Sequence, residues 1–170
     1  GYHSGSHFTA IQSLEPFLPR DQINLKFVGS VWARAQIGID RDLPATSVWG
    51  LTYLVLEQLG FRKVADSTFM IGFMFPQSVD PADVEKYRNG LKRAQIDLDL
   101  TPEKFKHFYL NEIPERYQSM VEVRRFSPGE RIVFLPYTED TFATTQAWLQ
   151  ERGLFDERRA KLNYAATVAA

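Results

Sequence analysis

The chain has no cysteine, and this absence excludes several kinds of site. None of its 170 residues is a thiol that could form a disulfide, bind zinc as a thiolate or act as a cysteine nucleophile. Long apolar runs are also missing, because no stretch approaches the ~20 residues that a helix needs to cross a bilayer. The sequence therefore predicts neither a disulfide scaffold nor a membrane-spanning helix.

A surplus of charge of one sign is lacking as well. The 20 basic and 21 acidic side chains are spread along the chain and give a net charge of −1. Without a basic stripe, nucleic acid is not an expected partner.

The chain is rich instead in apolar and aromatic residues: 44% of it is hydrophobic, with 13 Phe, 7 Tyr and 3 Trp. This content predicts a folded chain rather than a disordered one.

The first 66 residues alternate predicted strands and predicted helices. Short strands are expected at 23–28 and 43–49, where apolar and polar residues alternate or end at a loop. Helices are expected after the polar turn near the first residue, after Ser30 and from Gly50. Alternation of this kind is typical of a parallel α/β sheet, which is the fold class that the sequence predicts.

A continuous apolar run at 69–75 follows, and it predicts a strand that is buried on both faces. The chain then changes character, since Asp80 and Pro81 form a typical start of a long helix. Further helix signals follow. The sequence thus predicts an α/β lobe at 1–66, a crossing strand or hinge at 67–78 and a helix-rich part at 79–170.

The polar turn before the first helix is one candidate site. Ser4, Gly5 and Ser6 would present backbone N–H groups and hydroxyls at a helix N-terminus, where the helix dipole favours an anion. The serines could equally serve only to cap the helix. His3 and His7 flank the turn and could bind a ligand, transfer a proton or be ordinary surface histidines. No metal is expected, because the neighbouring sequence offers too few further ligands.

A second candidate site is expected where the strand at 43–49 ends. Ligands of open α/β sheets bind beyond the carboxyl ends of the strands, and Ser47, Trp49 and Gly50 lie at that end. The indole could stack on a flat ligand, or it could be a core aromatic. Arg34 follows the earlier strand at the same predicted edge, where it could bind a carboxylate or simply be solvated.

Three stretches resemble the second lobe of type II periplasmic solute-binding proteins. The likeness is to the group that binds nitrate, sulfonates and aromatic compounds for ABC importers; it covers most of the chain and is carried by residues 1–6, 37–50 and 58–67. The resemblance implies an α/β lobe whose ligand lies in a cleft between two lobes. It also implies a partner: a second polypeptide, or a lobe preceding residue 1, would complete the sheet and cover the later helices.

The function implied by the resemblance is binding of a small anionic or aromatic solute, without a cofactor, in the periplasm. The solute would then pass to membrane transporter subunits. The residues expected to contact it are Ser4, Gly5, Ser6, His7, Arg34, Ser47, Trp49 and Gly50.

The alternative is a cytoplasmic enzyme on the same scaffold, such as a decarboxylase, lyase or hydrolase for a small aromatic or carboxylated compound. The chain would then be one subunit of a split protein, and His3 or His7 would transfer the proton.

Overall fold

The computed structural model describes residues 3–67, 71–154 and 163–167, and 55% of these residues are helical. The predicted α/β fold, a second lobe of the solute-binding type, is wrong, because the described residues contain no strand and no sheet. The segments 23–28 and 43–49 are irregular. An alternating pattern favours an extended backbone, but a strand exists only where a second strand takes up its N–H and C=O groups.

The apolar run at 69–75 is a second correction. Residues 69 and 70 lie outside the described ranges, and the remainder is irregular and exposed instead of forming a strand buried on both faces. Ile71 is 74% exposed and Met74 is 95% exposed. Burial requires a packing surface from elsewhere in the protein, and a run of apolar residues does not provide that surface by itself.

The regular structure of the described ranges is helical. The α-helices are α1 (Gly5–Leu14), α2 (Val31–Ile39), α3 (Gly50–Gln58), α4 (Pro81–Leu100), α5 (Tyr109–Glu112), α6 (Glu115–Gln118), α7 (Glu139–Glu151) and α8 (Tyr164–Thr167). Short 3₁₀ turns lie at Arg20–Gln22, Pro102–Lys104, Lys106–Phe108 and Val123–Arg125. None of the helices in these ranges combines the length and the apolar character that a membrane crossing requires.

Contacts divide the chain into two compact units. One unit comprises Gly1–Met70 and Phe75–Ile132, and the other comprises Ile71–Met74 and Val133–Ala170. The first unit contains α1 to α6 and both candidate sites. The three-part organisation predicted from the sequence stays a prediction.

The starts of four helices follow from local capping. Ser4, Ser30, Asp80 and Thr138 are the N-caps of α1, α2, α4 and α7, and each side-chain oxygen accepts a hydrogen bond from a backbone N–H of the first turn. Pro81 occupies the first turn of α4, where a missing N–H costs nothing. The starts predicted near the first residue, after Ser30 and at Asp80 are confirmed, because a cap depends only on neighbouring residues.

The ends of α2, α3 and α7 share one geometry. In each, the residue after the C-cap has a positive φ, and backbone N–H groups beyond the helix bind carbonyls of its last turn. Gly60 and Gly153 fill this position in α3 and α7 with φ angles of 87° and 60°. Arg41 fills it in α2 with a φ of 60°, although a side chain makes this conformation unfavourable.

The core of the first unit forms around α3. Its buried cluster consists of Leu54, Val55, Ile113, Tyr117 and Phe126. Leu54 and Val55 of α3 are buried, on the face of the helix that packs on this cluster. Trp32 of α2 stacks on the Tyr117 ring, with centroids 5.4 Å apart and planes inclined by 20°. The stack fixes α2 against the same core.

Glutamine side chains connect segments that are distant in sequence. Gln58 donates to the backbone oxygen of Glu122 (3.0 Å) and accepts from its N–H (2.8 Å). Buried Gln95 accepts from the N–H of Ile132 at 2.8 Å and donates to Asp99 at 2.9 Å. These amides satisfy backbone groups that a sheet would otherwise pair.

Candidate functional site

Ser4 in the polar turn before α1 acts as a helix cap. Its hydroxyl accepts the N–H of His7 at 3.4 Å and lies 3.1 Å from the hydroxyl of Ser6. The capping interpretation is therefore confirmed for Ser4. Gly5 is exposed, and its carbonyl accepts a hydrogen bond from Thr9 Oγ1 at 2.9 Å. A ligand contact at this turn stays a prediction.

His7 lies inside the protein, next to that cap. Its side chain is 5% exposed, its ring is 5.5 Å from that of Phe27 between centroids, and its Nδ1 accepts the backbone N–H of His3 at 3.0 Å. A neutral imidazole that accepts at Nδ1 holds its proton on Nε2. Burial, followed by the nearby positive charges of His3 and Arg20, lowers the pKa of His7.

The buried and hydrogen-bonded position of His7 does not suit the proton transfer that the enzymatic alternative requires. At neutral pH the Nδ1 lone pair of His7 is occupied and Nε2 carries the proton, so neither nitrogen can act as a base without first breaking a contact. His3 is exposed, and its backbone has a φ of 59°. Its ring meets that of His7 edge to face at 6.1 Å between centroids. The geometry supports a structural histidine at position 7.

Arg34 and Trp49, two of the residues that the sequence places at a candidate site, lie next to each other in the structure. The guanidinium carbon of Arg34 lies 5.0 Å from the centroid of the Trp49 ring, a cation–π distance. Thr46 Oγ1 donates to the carbonyl of Arg34 at 3.0 Å and thereby attaches the segment before Trp49 to α2. α2 and α3 pack on each other, which places both side chains on one helix pair.

The Arg34 guanidinium forms no ion pair and no hydrogen bond with any described residue. Both Arg34 and Trp49 are half-buried. Trp49 is the N-cap of α3, but its side chain does not cap the helix. Ser47, by contrast, is exposed, and its side chain has no hydrogen-bond partner in the described ranges. The pair thus presents a positive charge held against an aromatic surface.

Glu130 is a residue of this site that the sequence did not indicate. Gly50 has a φ of 56°, and a Cβ atom at this position would lie 3.4 Å from Glu130 Oε1. The carboxylate therefore lies directly against the backbone at the start of α3. Only the turn Ser-Pro-Gly-Glu at 127–130 could be recognised from sequence, and nothing in it identifies Gly50 as the neighbour.

Described contacts divide the predicted residues into two groups. One group lies at the start of α1 and consists of residues in mutual contact: His3, Ser4, Ser6 and His7. The other group lies at the α2–α3 pair and consists of Arg34, Trp49 and Gly50. An open groove of about 550 Å³ is lined by other residues, Gln58 and Glu122 among them. Within the described part of the chain, no cluster of three or more metal-binding side chains occurs.

Comparison of the chain with protein-family models, with curated proteins and with solved structures finds no match. The likeness to type II solute-binding proteins therefore rests on the sequence stretches alone. Its implied fold is contradicted by the helical structure.

Proposed function

We propose that this chain binds a small aromatic molecule with an anionic group at the pair formed by Arg34 and Trp49. The observation that supports this function is the Arg34 guanidinium over the indole ring, 5.0 Å from its centroid and without a carboxylate partner among the described residues. A planar guanidinium can bind a carboxylate through two parallel hydrogen bonds. The indole offers an aromatic ligand a stacking surface.

The contact with the indole also reduces the entropic cost of binding. A free arginine side chain loses about 2 kcal/mol of rotamer entropy when it is fixed. The indole of Trp49 already restricts Arg34, and the bond from Thr46 to its carbonyl orders the neighbouring backbone. A ligand carboxylate therefore meets a donor that is largely oriented before binding.

The ligand class agrees with the sequence-based prediction, but the predicted cleft between two lobes is abandoned with the α/β fold. Delivery to membrane transporter subunits depended on that fold and stays a prediction. The preceding lobe or second polypeptide expected to complete the sheet also stays a prediction, although the described residues contain no sheet. The enzymatic alternative gains no support from the buried, neutral His7.

Titration calorimetry with benzoate, 3-phenylpropanoate, indole-3-acetate and benzenesulfonate tests the proposal. We expect at least one of these ligands to bind with a dissociation constant of about 10 µM to 1 mM, which is typical of an open site with one charged contact. Arg34→Gln should weaken that binding about tenfold or more, since a charged hydrogen bond is worth about 1.5–3 kcal/mol. The affinity of the Arg34→Lys variant should lie between those of the unsubstituted protein and the Arg34→Gln variant, because lysine keeps the charge and lacks the planar guanidinium.

Arg88→Gln is the matched control, because Arg88 is an exposed arginine on α4 and the substitution removes the same charge. Its affinity should equal that of the unsubstituted protein. Far-UV circular dichroism of each variant verifies that the helices remain. Absence of binding by all four ligands, or equal binding by the Arg34→Gln and Arg88→Gln variants, would refute the proposed function.

A further inference from the structure

Two opposite charges flank the dipeptide Trp49-Gly50. The Arg34 guanidinium lies over the Trp49 ring, and the Glu130 carboxylate lies against Gly50, 3.4 Å from where a Cβ atom would be. Glu130 is exposed and Arg34 is half-buried, so a solute can approach both side chains. The two charges belong to different elements, α2 and the loop at 127–132, and the fold places each of them next to one residue of this dipeptide.

Neither charge is neutralised by the described protein. Arg34 and Glu130 form no ion pair with each other, and neither forms one with another described residue. Arg131, the cation next to Glu130 in the chain, is already paired with Asp99 through two of its guanidinium nitrogens, Nε and Nη2. Both Arg34 and Glu130 are therefore open to the complementary charges of a ligand.

The position of Glu130 is fixed by the loop that presents it. On one side, Tyr109 Oη donates to the carbonyl of Pro128 at 2.8 Å. On the other, Arg131 is paired with Asp99, and the N–H of Ile132 binds the buried Gln95 at 2.8 Å. Contacts on both sides of Glu130 hold its backbone, so that a ligand has to order only the exposed side chain of this residue.

We propose that the ligand of this site is zwitterionic: an aromatic α-amino acid or a molecule of the same charge pattern, with its carboxylate on Arg34 and its ammonium on Glu130. This inference rests on the proposed function of the Arg34–Trp49 pair and names its ligand class. A ligand with only a negative charge would be attracted by Arg34 and repelled by Glu130. An added ammonium group turns that repulsion into attraction, while the ring can still stack on Trp49.

Three ligands that differ only in their charged groups test the inference. They are L-phenylalanine, 3-phenylpropanoate, which lacks the ammonium, and 2-phenylethylamine, which lacks the carboxylate. In calorimetric titrations of the full chain at pH 7 and low salt, we expect phenylalanine to bind about five- to tenfold more tightly than either of the others. Salt at about 0.5 M should reduce this preference, because screening weakens both charge contacts.

Glu130→Gln provides the discriminating variant, because it removes the charge and keeps the size of the side chain. It should weaken phenylalanine binding about fivefold and strengthen 3-phenylpropanoate binding, so that the preference disappears. Glu85→Gln is the control, since Glu85 is an exposed carboxylate on α4. It should leave all three affinities unchanged.

The outcomes distinguish this inference from the proposed function. If 3-phenylpropanoate binds as tightly as phenylalanine, and Glu130→Gln changes neither, the zwitterion inference fails while the proposed function stands. If 2-phenylethylamine binds best and Arg34→Gln has no effect, the proposed function fails. If none of the three ligands binds, and the anionic panel also does not, both fail together.

Discussion

The side-chain amide of Gln58 and the backbone of Glu122 form a reciprocal pair of hydrogen bonds, at 3.0 Å and 2.8 Å, in the manner of two paired strands. This pair joins the end of α3 to the segment that leads into the turn at Val123–Arg125. Because the described residues contain no sheet, contacts of this kind replace the ladder that normally connects distant segments.

Replacing Gln58 with leucine removes both hydrogen bonds. We expect Gln58→Leu to lower the free energy of unfolding by about 1–3 kcal/mol, since each bond contributes about 0.5–1.5 kcal/mol. Urea unfolding followed by far-UV circular dichroism measures the change. Gln12→Leu, at an exposed position of α1, is the control and should change stability by less than about 0.5 kcal/mol. Equal stability of the two variants would show that the Gln58 contact contributes nothing.

Arg41 ends α2 in a conformation that suits glycine. Its φ is 60°, and a side chain in the left-handed region costs about 1–2 kcal/mol. Arg41→Gly should therefore raise the free energy of unfolding by about 0.5–1 kcal/mol, after the greater freedom of glycine in the unfolded chain is taken into account.

The mirror experiment uses Gly60, which ends α3 with a φ of 87° and has open space where a Cβ would lie. Gly60→Ala introduces the backbone strain that Arg41→Gly removes, and it should lower the free energy of unfolding by about 1 kcal/mol. Thermal and urea unfolding of both variants check the signs. A destabilised Arg41→Gly variant would mean that the arginine side chain contributes more by its contacts than its backbone strain costs.

Tyr117 combines a hydroxyl contact with ring packing, and two substitutions separate these contributions. Tyr117→Phe removes the hydrogen bond to Gln36 Oε1 and keeps the stack on Trp32, so it should cost about 1 kcal/mol. Tyr117→Ala also empties a core position that is 3% exposed and should cost about 3–5 kcal/mol. Near-UV circular dichroism should change strongly only in the alanine variant, where the aromatic stack is lost.

Tyr53→Phe is the control for the hydroxyl, because the hydrogen bond from Tyr53 to Glu57 is exposed and lies within one turn of α3. Its removal should change stability by less than about 0.5 kcal/mol. If Tyr117→Phe is as mild as Tyr53→Phe, the bond to Gln36 does not stabilise the core.

The parts of this structure that the sequence predicts are those that depend on near neighbours. Ser30 followed by apolar residues determines the start of α2, and Gly60 determines the end of α3, because caps form within one or two turns. The strands predicted at 23–28 and 43–49 do not depend on near neighbours alone, and both segments are irregular in the structure. A strand requires a partner strand that the local pattern does not specify.

The candidate site follows the same rule. The sequence predicts Arg34 and Trp49 at a sheet edge, yet they meet on a pair of packed helices. The residue types were informative, because a guanidinium and an indole favour the same ligands in either setting. Glu130 was missed, because its contact with Gly50 arises only after the loop at 127–132 is fixed by distant residues.

The buried His7 predicts a pH dependence of stability with a definite sign. Burial and nearby positive charge lower its pKa in the folded protein from the usual 6.5, so the unfolded chain binds more protons below about pH 6.5. The free energy of unfolding should therefore decrease as the pH falls from about 7.5 to 5.5, before the carboxylates titrate. His7→Gln, whose amide oxygen can still accept the His3 N–H, should abolish this decrease, whereas His107→Gln at an exposed position should retain it. Urea midpoints that fall equally with pH in both variants would assign the dependence to other groups.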